Sequence, residues 1–337
     1  MKVLILYPGK MPSSPSQIEC FSDVWVYYLT NELKKHLSVE TQQIPSKIDE
    51  RQLHQWFNDL NVNGYDAIIA LGLRYFSTVP RNIGETLLKK LKRQGFLCQI
   101  HDGSRLDNDP VDITFTLKDD SYLYPFGTSA NRHVRHRSYN EYIGWAADPN
   151  VNVPQQSNEE LSILVDHTNY GNNPVDNTEQ ILQDIKKFVD SGIWKSRWKS
   201  VRVRRFVSGG VEDVDLDNLV PVERYDRRSI PFTEICKEHG TAHVFCVTHP
   251  ESVGLVVLET AMAGALSVVP RGFVPQDRLD TVRSLEYNGQ IPWKQVLEQI
   301  DPAASREVAI KNSWSEVCKR IRDIIAIRQR IRGHDND

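Results

Sequence analysis

Two glutamates, Glu251 and Glu259, stand eight positions apart in the stretch VTHPESVGLVVLETAMAGALSVVP, residues 247–270. An ionised carboxylate only accepts hydrogen bonds, so a fixed pair suits sugar hydroxyls or a vicinal diol. The surrounding residues are apolar enough for a buried strand–helix–strand unit. Gly254 permits a tight turn, and a helix beginning near Gly254 or Leu255 leaves its first N–H groups unpaired. Those groups, with the partial positive charge of a helix start, form a site for phosphates. Glu251 lies in the loop, the amides of Val253, Gly254, Leu255 and Val256 follow, and Glu259 falls one turn into the helix. One junction could then hold a sugar, a diphosphate and a ribose. Two solvated surface glutamates are the plainer alternative.

Such a junction needs a strand before it and a sheet around it. Strands and helices alternate along the chain: KVLILYP, a helix over 23–37, VETQQI, a helix over 49–60, YDAIIALGL, a helix over 83–95 capped by Gly95, then FLCQIHDGS. After the Pro- and Asn-rich segment 145–160 a second series begins: LSILVDH, a helix, SVRVRRFVSGG, a helix, AHVFCVTHP, a helix and ALSVVP. A long helix over 312–333 closes the chain. This rhythm predicts two mainly parallel, doubly wound α/β halves, whose ligands bind beyond the carboxyl ends of the strands. A linker between them implies a cleft.

The stretch from Glu251 to Gly264 resembles the E-x7-E signature of family 4 retaining glycosyltransferases, usually E-G-F-G-L-x-x-L-E-A-M-A-x-G-x-P-V. Here Ser252, Val253, Thr260, Ala261 and Leu266 depart from that form. YIGWAADPNV, FVSGGVED, the helix and strand before Glu251, and NSWSEVCKRI are similar to the family's neighbouring segments, so the likeness spans most of residues 140–330. The resemblance implies the GT-B fold, two Rossmann-like domains facing each other across a cleft. Residues 1–150 would be the acceptor side, 151–311 the donor-binding domain, and 312–337 a helix crossing back to the first. It implies Glu251 on the donor-sugar hydroxyls, Glu259 on the ribose, and His101 and Asp102 beside the transferred sugar. Gly9 and Lys10 would face the donor from the first strand's loop, and Ser208 and Gly209 from FVSGGVED, similar to the family's strand and Gly-turn. It further implies a UDP- or GDP-sugar donor, a glycan or other hydroxyl acceptor, no obligatory cofactor or metal, and a cytoplasmic, carbohydrate-building enzyme.

One departure concerns charge. The family's Arg and Lys after the first strand of the donor domain are absent from DHTNYGNNPVDNTEQ, residues 166–180, where His167 alone can carry a positive charge. Arg204, Arg205 or Arg271 would have to meet the diphosphate from neighbouring loops. That gap keeps two alternatives: a scaffold of this fold that binds glycan or a partner without turnover, and a sugar-nucleotide epimerase. The acidic run EDVDLDN, with Asp213, Asp215 and Asp217, fits a solvent-facing loop better than a metal site, lacking the Gly and Glu of a calcium loop.

Bulk numbers bound the rest. Of 337 residues, 25% are charged, with a net charge of −3, which gives no sign of a nucleic-acid partner. The five cysteines are scattered without a CxxC, as expected of reduced thiols rather than a disulfide frame or zinc ribbon. The apolar run after the N-terminus is too short for a signal peptide, and no run reaches membrane-spanning length. Any membrane contact would be peripheral. The basic runs NRHVRHR, RVRR and KRIRDIIAIRQRIR read as solvated faces, with a patch facing a polyanionic ligand as the alternative. Trp25, Tyr122 and Tyr124 suit either sugar stacking or the core.

Overall fold

The computed structural model describes residues 1–19, 21–45, 50–71, 81–101, 111–116, 139–168, 177–208, 220–226, 229–250 and 254–334. The chain divides into two compact units, Met1–Gly144 with Trp314–Asp337, and Trp145–Ser313.

The first unit contains β1 (Lys2–Pro8), α1 (Phe21–Lys34), β2 (Ser38–Ile44), α2 (Glu50–Asp59), β3 (Ala67–Leu71), α3 (Arg81–Gln94), β4 (Leu97–His101), β5 (Ile113–Thr116) and β6 (Tyr139–Tyr142). Its sheet is parallel throughout, in the order β2-β1-β3-β4-β5-β6. A parallel sheet is covered on both faces, so its central strands are continuously apolar rather than alternating. β3, AIIAL, is buried at every position. The edge strand β2 carries Glu40, Gln42 and Gln43 and is half exposed. α3 stops before Gly95, but that glycine lacks the left-handed backbone of the C-cap expected from the sequence. Its position instead brings Ile68 within 3.6 Å of where a Cβ would stand.

The last helix of the chain, α10 (Trp314–His334), belongs to this unit. Its buried stripe is Trp314, Val317, Cys318, Ile321 and Ile325, the helical spacing of one apolar face. Trp314 meets Trp25 edge-on at 4.6 Å and stacks on Tyr28 at 5.4 Å. Trp25 is thus a core residue. The basic run of α10 is partly structural: Arg320 donates to the Ile143 carbonyl at 3.0 Å, and Arg328 pairs with Glu141 at 2.7 Å.

The second unit contains β7 (Glu160–Thr168), α4 (Thr178–Ser191), β8 (Ser200–Ser208), β9 (Val222–Asp226), α5 (Phe232–Thr241), β10 (Val244–Val247), α6 (Leu255–Met262), β11 (Leu266–Pro270), α7 (Gln276–Leu279), β12 (Ser284–Tyr287), α8 (Trp293–Gln299) and α9 (Pro302–Ala309). Its sheet is also parallel, in the order β12-β11-β10-β7-β8-β9. Leu161, Ile163 and Val165 of β7 join Val203, Val244 and Cys246 in a core under α4, where Phe188 stacks on Trp293 at 4.2 Å. Arg306 ties this unit's entry segment down. Its guanidinium donates to the carbonyls of Pro149, Asn152 and Met262, each at 2.7 Å.

Gly240 fills a place no other residue could. A Cβ there would stand 2.4 Å from the Val153 carbonyl oxygen, so a glycine late in α5 lets the entry segment pass against the helix.

Candidate functional site

In the second unit the chain leaves β7 towards β8 on one side and β10 towards β11 on the other, although β7 and β10 are neighbours. Their carboxyl ends therefore border the switch point of a doubly wound sheet, where such folds bind ligands. Asp166 pairs with Val247 in the register of the two strands. Just beyond, the Thr248 hydroxyl donates to the Asp166 carbonyl, and the Asn177 amide donates to the Thr248 carbonyl at 2.8 Å. A hydroxyl has one proton. With that proton spent on Asp166, the His249 Nδ1, 3.1 Å from the Thr248 oxygen, must be the donor in their bond. Thr248 and His249 are both buried.

Glu251 and Val253 lie outside the described residues. Gly254 is the N-cap of α6, with φ +64° and ψ 32° in the left-handed region that favours glycine. α6 follows at once. It is apolar on nearly every side and correspondingly buried, with Val256, Val257 and Leu258 in the interior and only Leu255 half exposed. The N–H groups of its first turn point back to the edge where β10 ends.

Glu259 is 3% exposed. Its Oε2 lies 3.8 Å from Nδ1 of His239 on α5. His239 is fully buried, with its ring edge-on to Phe206 of β8 at 5.8 Å. Neighbouring positions of α6 face several ways into the core, because the helix is packed between α5 and α9 and against the sheet.

The arginines proposed to supply positive charge sit differently from one another. Arg204 and Arg205 are not loop residues; both lie inside β8 and are fully buried. Strand alternation puts them on opposite faces. Arg204 donates to Ser162 Oγ at 2.6 Å, to the Glu238 carbonyl at 2.8 Å and to the Glu238 carboxylate. Burial pulls its pKa down against the opposing pull of Glu238. Arg271 is exposed and directly follows β11, with its amide held by the Tyr287 carbonyl at 2.9 Å. His167 and Ser208 occupy the carboxyl ends of β7 and β8, in register with Val207 and Thr168 respectively. Gly209 and the run 212–218 lie outside the described residues.

In the first unit the equivalent switch point falls between β1 and β3. Gly9, with φ +79°, and Lys10 follow β1 there, both exposed. His101 ends β4, opposite Thr116 of β5. Asp102, the run 131–137, Tyr122 and Tyr124 lie outside the described residues.

Sequence reasoning missed Asp166, Thr248, His249 and His239. The first three carried a faint signal, as polar residues closing apolar strands. His239 carried none, since its partner is 20 positions away on another helix.

No protein-family profile matches the chain, and no curated protein matches its sequence. Solved structures match its shape. Sucrose-phosphate synthase from Thermosynechococcus elongatus superposes with a TM-score of 0.57 at 12% identity, covering 98% of this chain and 99% of that one. A UDP-forming α,α-trehalose-phosphate synthase from Burkholderia vietnamiensis gives 0.57 at 10% identity, over 97% of each chain. A putative UDP-N-acetylglucosamine 2-epimerase from Listeria monocytogenes gives 0.55 at 12% identity, over 98% of this chain and 97% of that one. The chain has the fold of these three proteins. Among the described residues, no helix is long and apolar enough to cross a membrane.

Proposed function

We propose that the protein is a retaining glycosyltransferase of the GT-B kind, moving a sugar from a nucleoside-diphosphate sugar to a hydroxyl acceptor without an obligatory metal. The observation that carries this reading is the start of α6. Gly254 and α6 come after β10, in a sheet whose strand order reverses between β7 and β10 and whose fold is shared with a UDP-forming synthase.

In this reading the first-turn amides of α6 hold the diphosphate, and Glu259 accepts the ribose hydroxyls. Burial strengthens such bonds, because water does not compete for the carboxylate. Glu251 accepts from the sugar hydroxyls. His101, Asp102, Gly9 and Lys10 serve the sugar and donor from the first unit, as the resemblance implies. The bond from the anomeric carbon to the phosphate oxygen breaks while the acceptor oxygen bonds to the same face. The acceptor's proton passes to the leaving phosphate, so no protein nucleophile is needed. Developing charge on that phosphate calls for preorganised donors. Arg271, exposed just past β11, is the cation we assign to it, with His167 as the weaker candidate. Arg204 is committed to Glu238.

Incubation with a panel of UDP- and GDP-sugars, followed by release of the free nucleotide, tests the proposal. Turnover that disappears in Glu259→Ala and Glu251→Ala supports it. A second reading, epimerisation of the sugar nucleotide, is favoured by the likeness to the putative 2-epimerase. It predicts an isomerised sugar nucleotide with no acceptor consumed, which proton NMR distinguishes. Binding without any reaction across the panel would favour a scaffold.

A further inference from the structure

We infer that His239 is a positioning residue, holding the Glu259 carboxylate in the geometry that receives a ribose. The inference rests on the reading of Glu259 as the ribose acceptor.

A glutamate side chain has three rotatable bonds, and a buried carboxylate is costly unless a partner meets its charge. Glu259 sits in the middle of α6 with its side chain 4% exposed, and His239 faces it from α5 with its side chain fully buried. The 3.8 Å between Oε2 and Nδ1 is longer than a hydrogen bond, and it sets the imidazole directly against the carboxylate in a buried space. The imidazole cannot swing away freely, because Phe206 blocks it edge-on from β8. Arg204 of β8 reaches Glu238 of α5, the residue beside His239, and so balances that carboxylate rather than Glu259.

His239 lies on the helix that precedes β10, whereas the proposed nucleotide contacts come from the helix that follows it. Removing the imidazole should leave the amides of α6 intact and free the carboxylate to change rotamer. The loss should fall on the ribose hydroxyls alone.

The test compares the affinities of UDP and 2′-deoxy-UDP, and of GDP and 2′-deoxy-GDP, by calorimetry for the full chain. A charged hydrogen bond to a hydroxyl makes the ribonucleotide bind about 10–100-fold tighter than its deoxy form. Glu259→Gln, which keeps an accepting oxygen but loses the charge, should cut that ratio several-fold. His239→Ala should lower the ratio about 10-fold with the deoxy affinity unchanged, since one oriented bond is lost. His239→Asn, whose amide nitrogen falls near the lost Nδ1, should recover part of the ratio. It also serves as the test if the alanine variant does not fold. Equal losses for ribo and deoxy forms would mean a merely structural role, and an unchanged ratio in both His239 variants would overturn the inference while Glu259 kept its part. If wild type binds no nucleotide, or Glu259→Gln leaves the ratio untouched, the ribose reading itself fails, and that result is distinct from the other two.

Discussion

Arg204 Nη1 of β8 and the carboxylate of Glu238 on α5 form an ion pair in which the arginine is wholly buried. Breaking such a pair leaves a charge in the interior, whereas replacing the charged residue with an apolar one of similar volume is far milder. Glu238→Ala should therefore destabilise the second unit by about 3–5 kcal/mol, because Arg204 stays behind. Arg204→Met should cost clearly less. Denaturant unfolding followed by second-unit tryptophan fluorescence reads both, and equal losses would refute the argument.

His243, at the start of β10, accepts from the Ser162 amide at 3.1 Å through Nδ1, so that nitrogen must stay unprotonated in the native state. Burial is the chief cause of its pKa being pushed down to about 4. In the unfolded chain the ring titrates near 6.5. The unfolded state therefore takes up the proton first, and stability falls as pH drops from about 6.5 to about 4, then levels. At about 1.4 kcal/mol per unit the site contributes up to roughly 3 kcal/mol of that fall. Unfolding midpoints of wild type and His243→Asn across this window check it. An identical slope in the two proteins would sink the idea.

Trp314 closes the first unit by stacking on Tyr28, with 9° between the ring planes. Its removal opens a cavity between α1 and α10. Trp314→Ala should cost about 3–5 kcal/mol. Hydrogen exchange should then speed up in α1, α10 and β1, while peptides of β7 and β10 keep their protection.

Arg271 offers an exposed charge to a diphosphate. Arg271→Ala should weaken UDP binding about fivefold, in line with a solvent-screened contact of about 1 kcal/mol. Uridine binding should not change, and the difference should shrink at high salt. A matching loss for uridine would remove Arg271 from the phosphate site.

The long central strands were legible because two-sided burial writes itself as unbroken apolar runs, as in KVLILYP and YDAIIALGL. β5, β9 and β12 were not. They span four or five residues, β9 and β12 are part-exposed, and β9 and β12 lie at the sheet's two edges, so their sequences lack a clear period. RVRR carries three arginines in a segment that reads as a strand, and its sequence does not say which of them are buried. Only a fold that sets Glu238 and Ser162 beside Arg204 makes that strand position tolerable.

The sequence alone determined the α/β alternation, the apolar helix carrying Glu259, and the Gly254 turn ahead of it, since local spacing and backbone freedom decide these. Tertiary structure alone decided that β7 and β10 are neighbours, that Thr248 closes onto Asp166, and that Glu259 meets His239. Those relations join segments from 20 to more than 80 positions apart. They exist because strand order and helix packing, which no local pattern encodes, set which side chains share a buried space.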